Sequence, residues 1–159
     1  LMPEGKKLPW PLWVVRNLSA LATPAVCGFN LFAYGALYMA ACKRLGRDVR
    51  MGLTAPYNSW GNRIATLKFV QDIPQKQTDP SYATARFVDE NLHRVAGKPM
   101  LICWGTNDFV FDTAYLSEWR RRFPSAEVNA FPDAGHYILE DVPEKVITLL
   151  NGFFKRYPR

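Results

Sequence analysis

Two side chains in this sequence have the type and setting to move a proton: Asp108, closing Gly105-Thr-Asn-Asp108, and His136, in Gly135-His136. An imidazole titrates near neutral pH, so His136 suits a general base. A carboxylate on its other ring nitrogen would fix the tautomer and stabilise the imidazolium that forms. Each residue also has an ordinary reading. Asp108 or Asp112 is a good helix N-cap, and His136 alone is a loop histidine. What separates the two readings is whether the surrounding elements bring them together.

Pro99 introduces a continuous apolar run over 100–104, which predicts a strand buried on both faces of a parallel sheet. Tyr115, Leu116, Trp119 and Phe123 recur at three- and four-residue steps and predict a helix over 112–123. A second strand follows over 127–131. Asp141-Val-Pro-Glu144 reads as a capping box with an early proline. It opens a last helix whose Val146, Ile147, Leu150, Phe153, Phe154 and Tyr157 share one face. Alternating strands and helices indicate an α/β layer architecture. Parallel strands joined by a right-handed crossover end at the same sheet edge, about 4.8 Å apart. Loops leaving those ends bring Asp108 and His136 within hydrogen-bonding reach, at the edge where open α/β sheets bind ligands.

The first half is different material. No charged residue lies between Asn17 and Cys42, and Lys43, Arg44 and Arg47 follow. That length and those flanks suit a membrane span. Pro24, Gly28, Asn30 and Gly35 punctuate the run, so buried or lid-like helices are preferred, with an interfacial helix and peripheral membrane contact between the two readings. The spacing predicts helices over 13–22 and 27–45, interrupted by Pro24 and stopped by Gly46. A loop is expected over 55–61, a short helix over 62–70, and a helix over 82–95 ending at Gly97. The polar stretch 75–80 is the best internal boundary, dividing 1–77 from 78–159.

At 159 residues the chain fits one ordinary domain or half of a larger α/β domain. The net charge of +6 arises entirely in residues 1–77, with ten Lys/Arg against three acids. The basic residues are scattered and no nucleic-acid motif accompanies them, so nucleic acid is not expected as a partner. Three cysteines without C-x-x-C spacing read as buried, reduced thiols of a cytoplasmic protein. Only two histidines occur, His93 and His136, far apart; neither a metal site nor any other cofactor is expected.

From Lys98 onward the sequence resembles the C-terminal part of the α/β-hydrolase superfamily. The resemblance rests on the strand, Gly105-Thr-Asn-Asp108, the helix ending Arg122-Phe-Pro124, Gly135-His136 and Glu140-Asp-Val-Pro143. In that family the acid commonly follows the penultimate strand and the histidine the last, which implies Asp108 and His136 as catalytic residues. Asp133 falls in a variable loop of the family and is left out. Ala55-Pro-Tyr-Asn-Ser-Trp-Gly-Asn-Arg63 with Phe69-Val-Gln-Asp-Ile-Pro74 resembles the end of the helical cap in haloalkane dehalogenase-like hydrolases. That branch includes β-lactone decarboxylases of long-chain olefin biosynthesis. The resemblance implies that 1–77 is a cap over a hydrophobic small-molecule substrate and that 78–159 is the C-terminal portion of the core. Trp10, Trp13, Phe29, Phe32 and Trp60 are then candidates for the apolar pocket, or else ordinary aromatics of the cap core.

One departure matters. No G-x-S-x-G elbow is present, nor an equivalent with Asp or Cys between glycines. Ser59 has the wrong neighbours and no apolar strand before it. The nucleophile is expected in a missing N-terminal half of the same fold, in a protein of about 300 residues. Three functions compete. One is a dehalogenase-like hydrolase with an aspartate nucleophile, in which His136 activates water against an ester intermediate. The second is a serine esterase or lipase of the same fold. The third is a non-catalytic remnant with membrane or lipid affinity.

Overall fold

The computed structural model describes residues 3 and 5–158. They fold as two compact units. The first comprises the described residues up to Tyr38 together with Leu45–Asn91; the second comprises Met39–Arg44 and the described residues from Leu92 onward.

The first unit is helical. Helix α1 (Trp10–Asn17) carries Pro11 in its first turn, where a missing N–H leaves no bond unmade. Helix α2 (Ser19–Thr23) follows at once. Pro24 does not stop the chain as expected. It opens a π-helical turn, Pro24–Gly28, closed by the Phe29 amide donating to the Pro24 carbonyl at 3.0 Å. The break comes at Asn30, which sits at φ 56° in the left-handed region that asparagine tolerates. Its buried side chain donates to the Tyr57 carbonyl at 3.1 Å, which helps offset that strain. Helix α3 is therefore only Leu31–Met39, not 27–45. Between Ser19–Gly28 and Leu31–Met39 the axis bends by 80°, and among the described residues no single helix is long and apolar enough to cross a membrane.

Helix α4 (Arg47–Thr54) comes next, and a 3-10 turn (Ala55–Tyr57) takes the first part of the loop expected over 55–61. Helix α5 (Trp60–Gln71) begins earlier than expected because Ser59 caps it, accepting from the Asn62 amide at 3.3 Å. Ala22, Val26, Cys27 and Leu67 form the core of this unit, with Val15 and Phe32 packed against it. Burial stabilises each larger side chain by about 1.5–3 kcal/mol. Two arginines close the unit. Arg63 donates to the carbonyls of Tyr57 (2.7 Å), Cys27 (2.8 Å) and Gly28 (2.9 Å). Arg16 donates to the Ile73 carbonyl at 2.8 Å and pairs with Asp79 at 2.6 Å. Asp79 also accepts from the Gln75 and Lys76 amides, so the polar stretch 75–80 is tied down locally. Helix α6 (Tyr82–Asn91) completes the unit.

The larger segment of the second unit opens with a 3-10 turn, Leu92–Val95, so the helix expected over 82–95 tightens in its last turn. Strand β1 (Leu101–Gly105), helix α7 (Thr113–Arg122), strand β2 (Glu127–Phe131), helix α8 (Ile138–Asp141) and helix α9 (Pro143–Arg156) follow. The strands pair in parallel, from Leu101 opposite Glu127 to Gly105 opposite Phe131. Phe131, Ala134, Val142 and Val146 form the core, with Cys103, Ile138 and Leu149 against it.

Three expectations need correcting. Strand β1 is half-buried over 101–104, not buried on both faces; helices bury the faces of a parallel sheet, and α9 packs against β1 here. The capping box does not form. Val142 is the N-cap of α9 without a side-chain bond, because Asp141 turns inward to other donors. Of the three free cysteines, Cys27 is buried and Cys103 half-buried, but Cys42 is exposed.

Candidate active site

The two loops that leave the carboxyl ends of β1 and β2 continue the parallel pairing beyond the strands. The Thr106 amide donates to the Phe131 carbonyl and the Asn107 amide to the Ala134 carbonyl, both at 3.0 Å. The Asn107 side chain donates to the Pro132 carbonyl at 2.5 Å. Gly105 is required by this approach: a Cβ there would lie 2.6 Å from the Ala134 carbonyl oxygen and closer still to that of Gly135. Backbone against backbone leaves nothing flexible to move aside.

At the tips of these loops Asp108 and His136 meet. The His136 Nδ1 to Asp108 Oδ2 distance is 2.8 Å. An ionised carboxylate only accepts, so Nδ1 carries the proton and the Nε2 lone pair is left to take one. Oδ1 of Asp108 accepts from the amides of Val110 (2.8 Å) and Phe111 (2.9 Å). Both carboxylate oxygens are thereby aimed. The carboxylate is 10% exposed and the imidazole 34%, so the ring can be reached from outside while the carboxylate is largely shielded.

Burial pushes the Asp108 carboxyl upward, but the bonds from His136, Phe111 and Val110 outweigh it and hold the group below the ordinary carboxylate range. The hydrogen bond to Asp108 holds His136 above the ordinary histidine value, against an opposing effect of burial. Phe111 frames the pair. Its ring lies 5.6 Å from the imidazole and 5.2 Å, edge-on, from Tyr115. Its carbonyl accepts from Trp104 Nε1 at 2.9 Å. Phe111 carried no motif; only its place three residues past an acidic strand end could have drawn notice.

The other candidates fall elsewhere. Asp112 is the N-cap of α7, accepting from the Ala114 amide at 3.0 Å, so of the two N-cap candidates it takes that place. Asp133 is exposed and paired with Lys145 at 2.8 Å. Ser59 is engaged as the cap of α5. Among the proposed pocket aromatics, Phe32 packs on the core of the first unit. Trp10 is 77% exposed and Phe29 72%, with Trp13 and Trp60 also exposed. A shallow depression of about 500 Å3 in that unit is lined by Ala65, Lys68, Phe69, Gln71, Asp72 and Pro80, and includes none of the five.

Sequence reasoning missed Asp141. It is wholly buried, and its carboxylate accepts from the amides of Gly135 (2.8 Å), Cys42 (3.0 Å) and Lys43 (2.9 Å). The Lys43 ammonium donates to its main-chain carbonyl. The helical capping pattern around Pro143 hid this use, and nothing in the spacing links residue 141 to residues 42 and 43.

Comparison with known proteins agrees with this topology. A family model described as alpha/beta hydrolase fold matches residues 14–143. The chain is 45% identical over 153 residues to a cis-3-alkyl-4-alkyloxetan-2-one decarboxylase of Shewanella oneidensis, covering 96% of this chain and 48% of the relative. It is 36% identical to a protein of the same description from Xanthomonas campestris, covering 99% of this chain and 52% of that one. Among solved structures, a putative ancestral haloalkane dehalogenase superposes with a TM-score of 0.82 at 18% identity, over 92% of this chain and 51% of its own. A haloalkane dehalogenase from Agrobacterium tumefaciens gives 0.76 at 18% identity, over 92% and 50%. The chain thus spans about half the length of the curated relatives it matches.

Proposed function

Since this chain belongs to the alpha/beta hydrolase fold family, we propose that Asp108 and His136 are the acid and base of an enzyme acting on a hydrophobic small molecule. Their 2.8 Å hydrogen bond at the ends of adjacent parallel strands carries this reading. Chemistry at that edge is the general habit of open α/β sheets. The first unit serves as the cap, and an N-terminal half of the same fold supplies the nucleophile. Relatives about twice as long support the second point.

In this mechanism an aspartate nucleophile forms an ester with an alkyl carbon of the substrate as the carbon–halogen bond, or the ring C–O bond of a lactone, breaks and the halide or ring carboxylate departs. His136 Nε2 takes a proton from water as that water attacks the ester carbonyl, and Asp108 holds the imidazolium through Nδ1. The imidazolium returns the proton to the departing alkoxide as the ester C–O bond breaks. Phe111 and Tyr115 give the site an apolar wall. The substrate class is a ring or halide bearing alkyl chains. The description of the two curated relatives, a β-lactone with two alkyl substituents, favours the lactone.

The test joins this chain to its N-terminal half and follows three substrates: a dialkyl β-lactone, an alkyl bromide and a simple ester. Lactone conversion or bromide release, lowered about 10²–10⁴-fold by His136→Gln, is the expected result. Turnover of the ester alone would replace the reading by a serine esterase. Unchanged turnover in His136→Gln would remove His136 from the chemistry and point to a non-catalytic role for this half.

A further inference from the structure

Asp141 is an unusual residue to find with no exposed surface. A buried carboxylate loses its hydration, and an apolar side chain would fill the same space without that loss. What a carboxylate adds is direction: two oxygens that place three backbone amides at fixed points. Two of those amides, Cys42 and Lys43, belong to the segment Met39–Arg44; the third, Gly135, immediately precedes the histidine. On the other side of His136, the Tyr137 amide donates to the Ala40 carbonyl at 2.7 Å. A Cβ on Gly135 would stand 2.9 Å from that same carbonyl oxygen. The main chain on both sides of His136 is therefore fastened, directly or through Asp141, to one short segment of the chain.

We infer that Asp141 is a positioning residue: its carboxylate latches the histidine loop to residues 40–43 and thereby sets where the imidazole stands against Asp108. This rests on Asp108 and His136 being the acid/base pair. Asp108 is fixed on its own side by the amides of Val110 and Phe111. The pair meets at bonding distance only if the opposite loop is held equally well; Asn107 ties that loop at Pro132 and Ala134, and Asp141 is the side chain that ties it at Gly135, beside His136. The position chosen for the latch, five residues after the histidine, lets α8 form within the loop it secures.

The test is Asp141→Asn in the complete enzyme, made in the wild-type and in the His136→Gln background. Asparagine keeps the shape but offers one acceptor oxygen in place of two, so at least one of the three amides then faces a donor. If the latch works through His136, kcat falls about tenfold or more with KM nearly unchanged. The same substitution then alters the residual rate of His136→Gln by less than about twofold. Equal fractional losses in both backgrounds, or a wild-type kcat, overturn the inference and leave the acid/base pair standing. If His136→Gln itself retains full turnover, it is the reading of the pair that fails. Should Asp141→Asn not fold, Lys43→Met loosens the latch more gently by removing only the ammonium bond to the Asp141 carbonyl. A kcat loss of about twofold, absent in the His136→Gln background, is then expected. A wild-type rate for Lys43→Met would count against the latch.

Discussion

The two units hold their backbones together by different means. In the helical unit, long side chains reach across to carbonyl groups: Arg63 to Tyr57, Cys27 and Gly28, and Arg16 to Ile73. In the strand-bearing unit the Asp141 carboxylate is short and buried, and elsewhere backbone meets backbone, with Thr106 on Phe131, Asn107 on Ala134 and Tyr137 on Ala40. A guanidinium on a flexible stem can follow small shifts of what it binds. Two main chains in contact cannot. The difference teaches where geometry is demanding: the second unit holds a 2.8 Å histidine–carboxylate contact, while the first exposes many large apolar side chains.

His136→Gln is expected to have the largest effect, lowering turnover of the complete enzyme by about 10²–10⁴-fold, measured in steady state. Gly105→Ala comes next. With no room between Gly105 and the Ala134–Gly135 main chain, the loops must part. Turnover should fall roughly 10²-fold, and urea unfolding of this chain should show a loss of about 1–3 kcal/mol. The same added methyl in the helical unit, Gly52→Ala, meets open space and sits within α4, so it should be neutral or slightly stabilising by about 0.5–1 kcal/mol. If both glycine variants behaved alike, the contrast between the units would be broken.

Arg63→Ala sharpens the contrast from the other side. It removes the guanidinium from the Cys27 and Gly28 carbonyls and leaves the Tyr57 carbonyl to Asn30, and should cost about 1–3 kcal/mol in urea unfolding. The heteronuclear NMR signature of the His136–Asp108 bond should stay unchanged. Between about pH 6 and 9 stability should also depend on pH through the strand-bearing unit, which holds the raised histidine. His136 is held above its ordinary 6.5, so its contribution is complete below that value and is lost as pH rises through the raised one. Asp108 is held below its ordinary 3.8, so its contribution is complete above that value and is lost as pH falls through the lowered one. Thermal unfolding followed between about pH 6 and 9 should show a decline that His136→Gln flattens. The smallest effect belongs to Trp10→Ala. At 77% exposure it should change stability by less than about 0.5 kcal/mol. A raised KM for an alkyl substrate in the complete enzyme would place that ring in the pocket, and an unchanged KM would make it plain surface.

The strand-bearing unit was the more legible of the two. Strand β2 lies at the expected 127–131, β1 is displaced by one residue, and α7 starts at the cap that Asp112 provides. Short apolar runs bounded by proline and glycine read clearly because strand and turn preferences agree there. The helical unit was harder. Pro24 forbids an ordinary continuation, yet a π turn absorbs it, and Asn30 rather than a glycine makes the left-handed break. Nor did any local rule say that residues 40–44 would leave helical structure to serve the histidine loop.

Residue types and spacing by themselves determined the chemistry available here: one acid and one base, each just past a buried-type strand, in a setting of apolar helices. Those signals are local, carried by side-chain polarity, strand propensity and turn residues, and they need no knowledge of what lies nearby in space. Only the tertiary structure decided that Gly105 admits no side chain, that Phe111 stands against the imidazole, and that Asp141 is a latch and not a cap. Each of these depends on main-chain groups distant in sequence being brought within 3 Å or a ring's width. Such proximity follows from how elements pack, and spacing along the chain does not encode it.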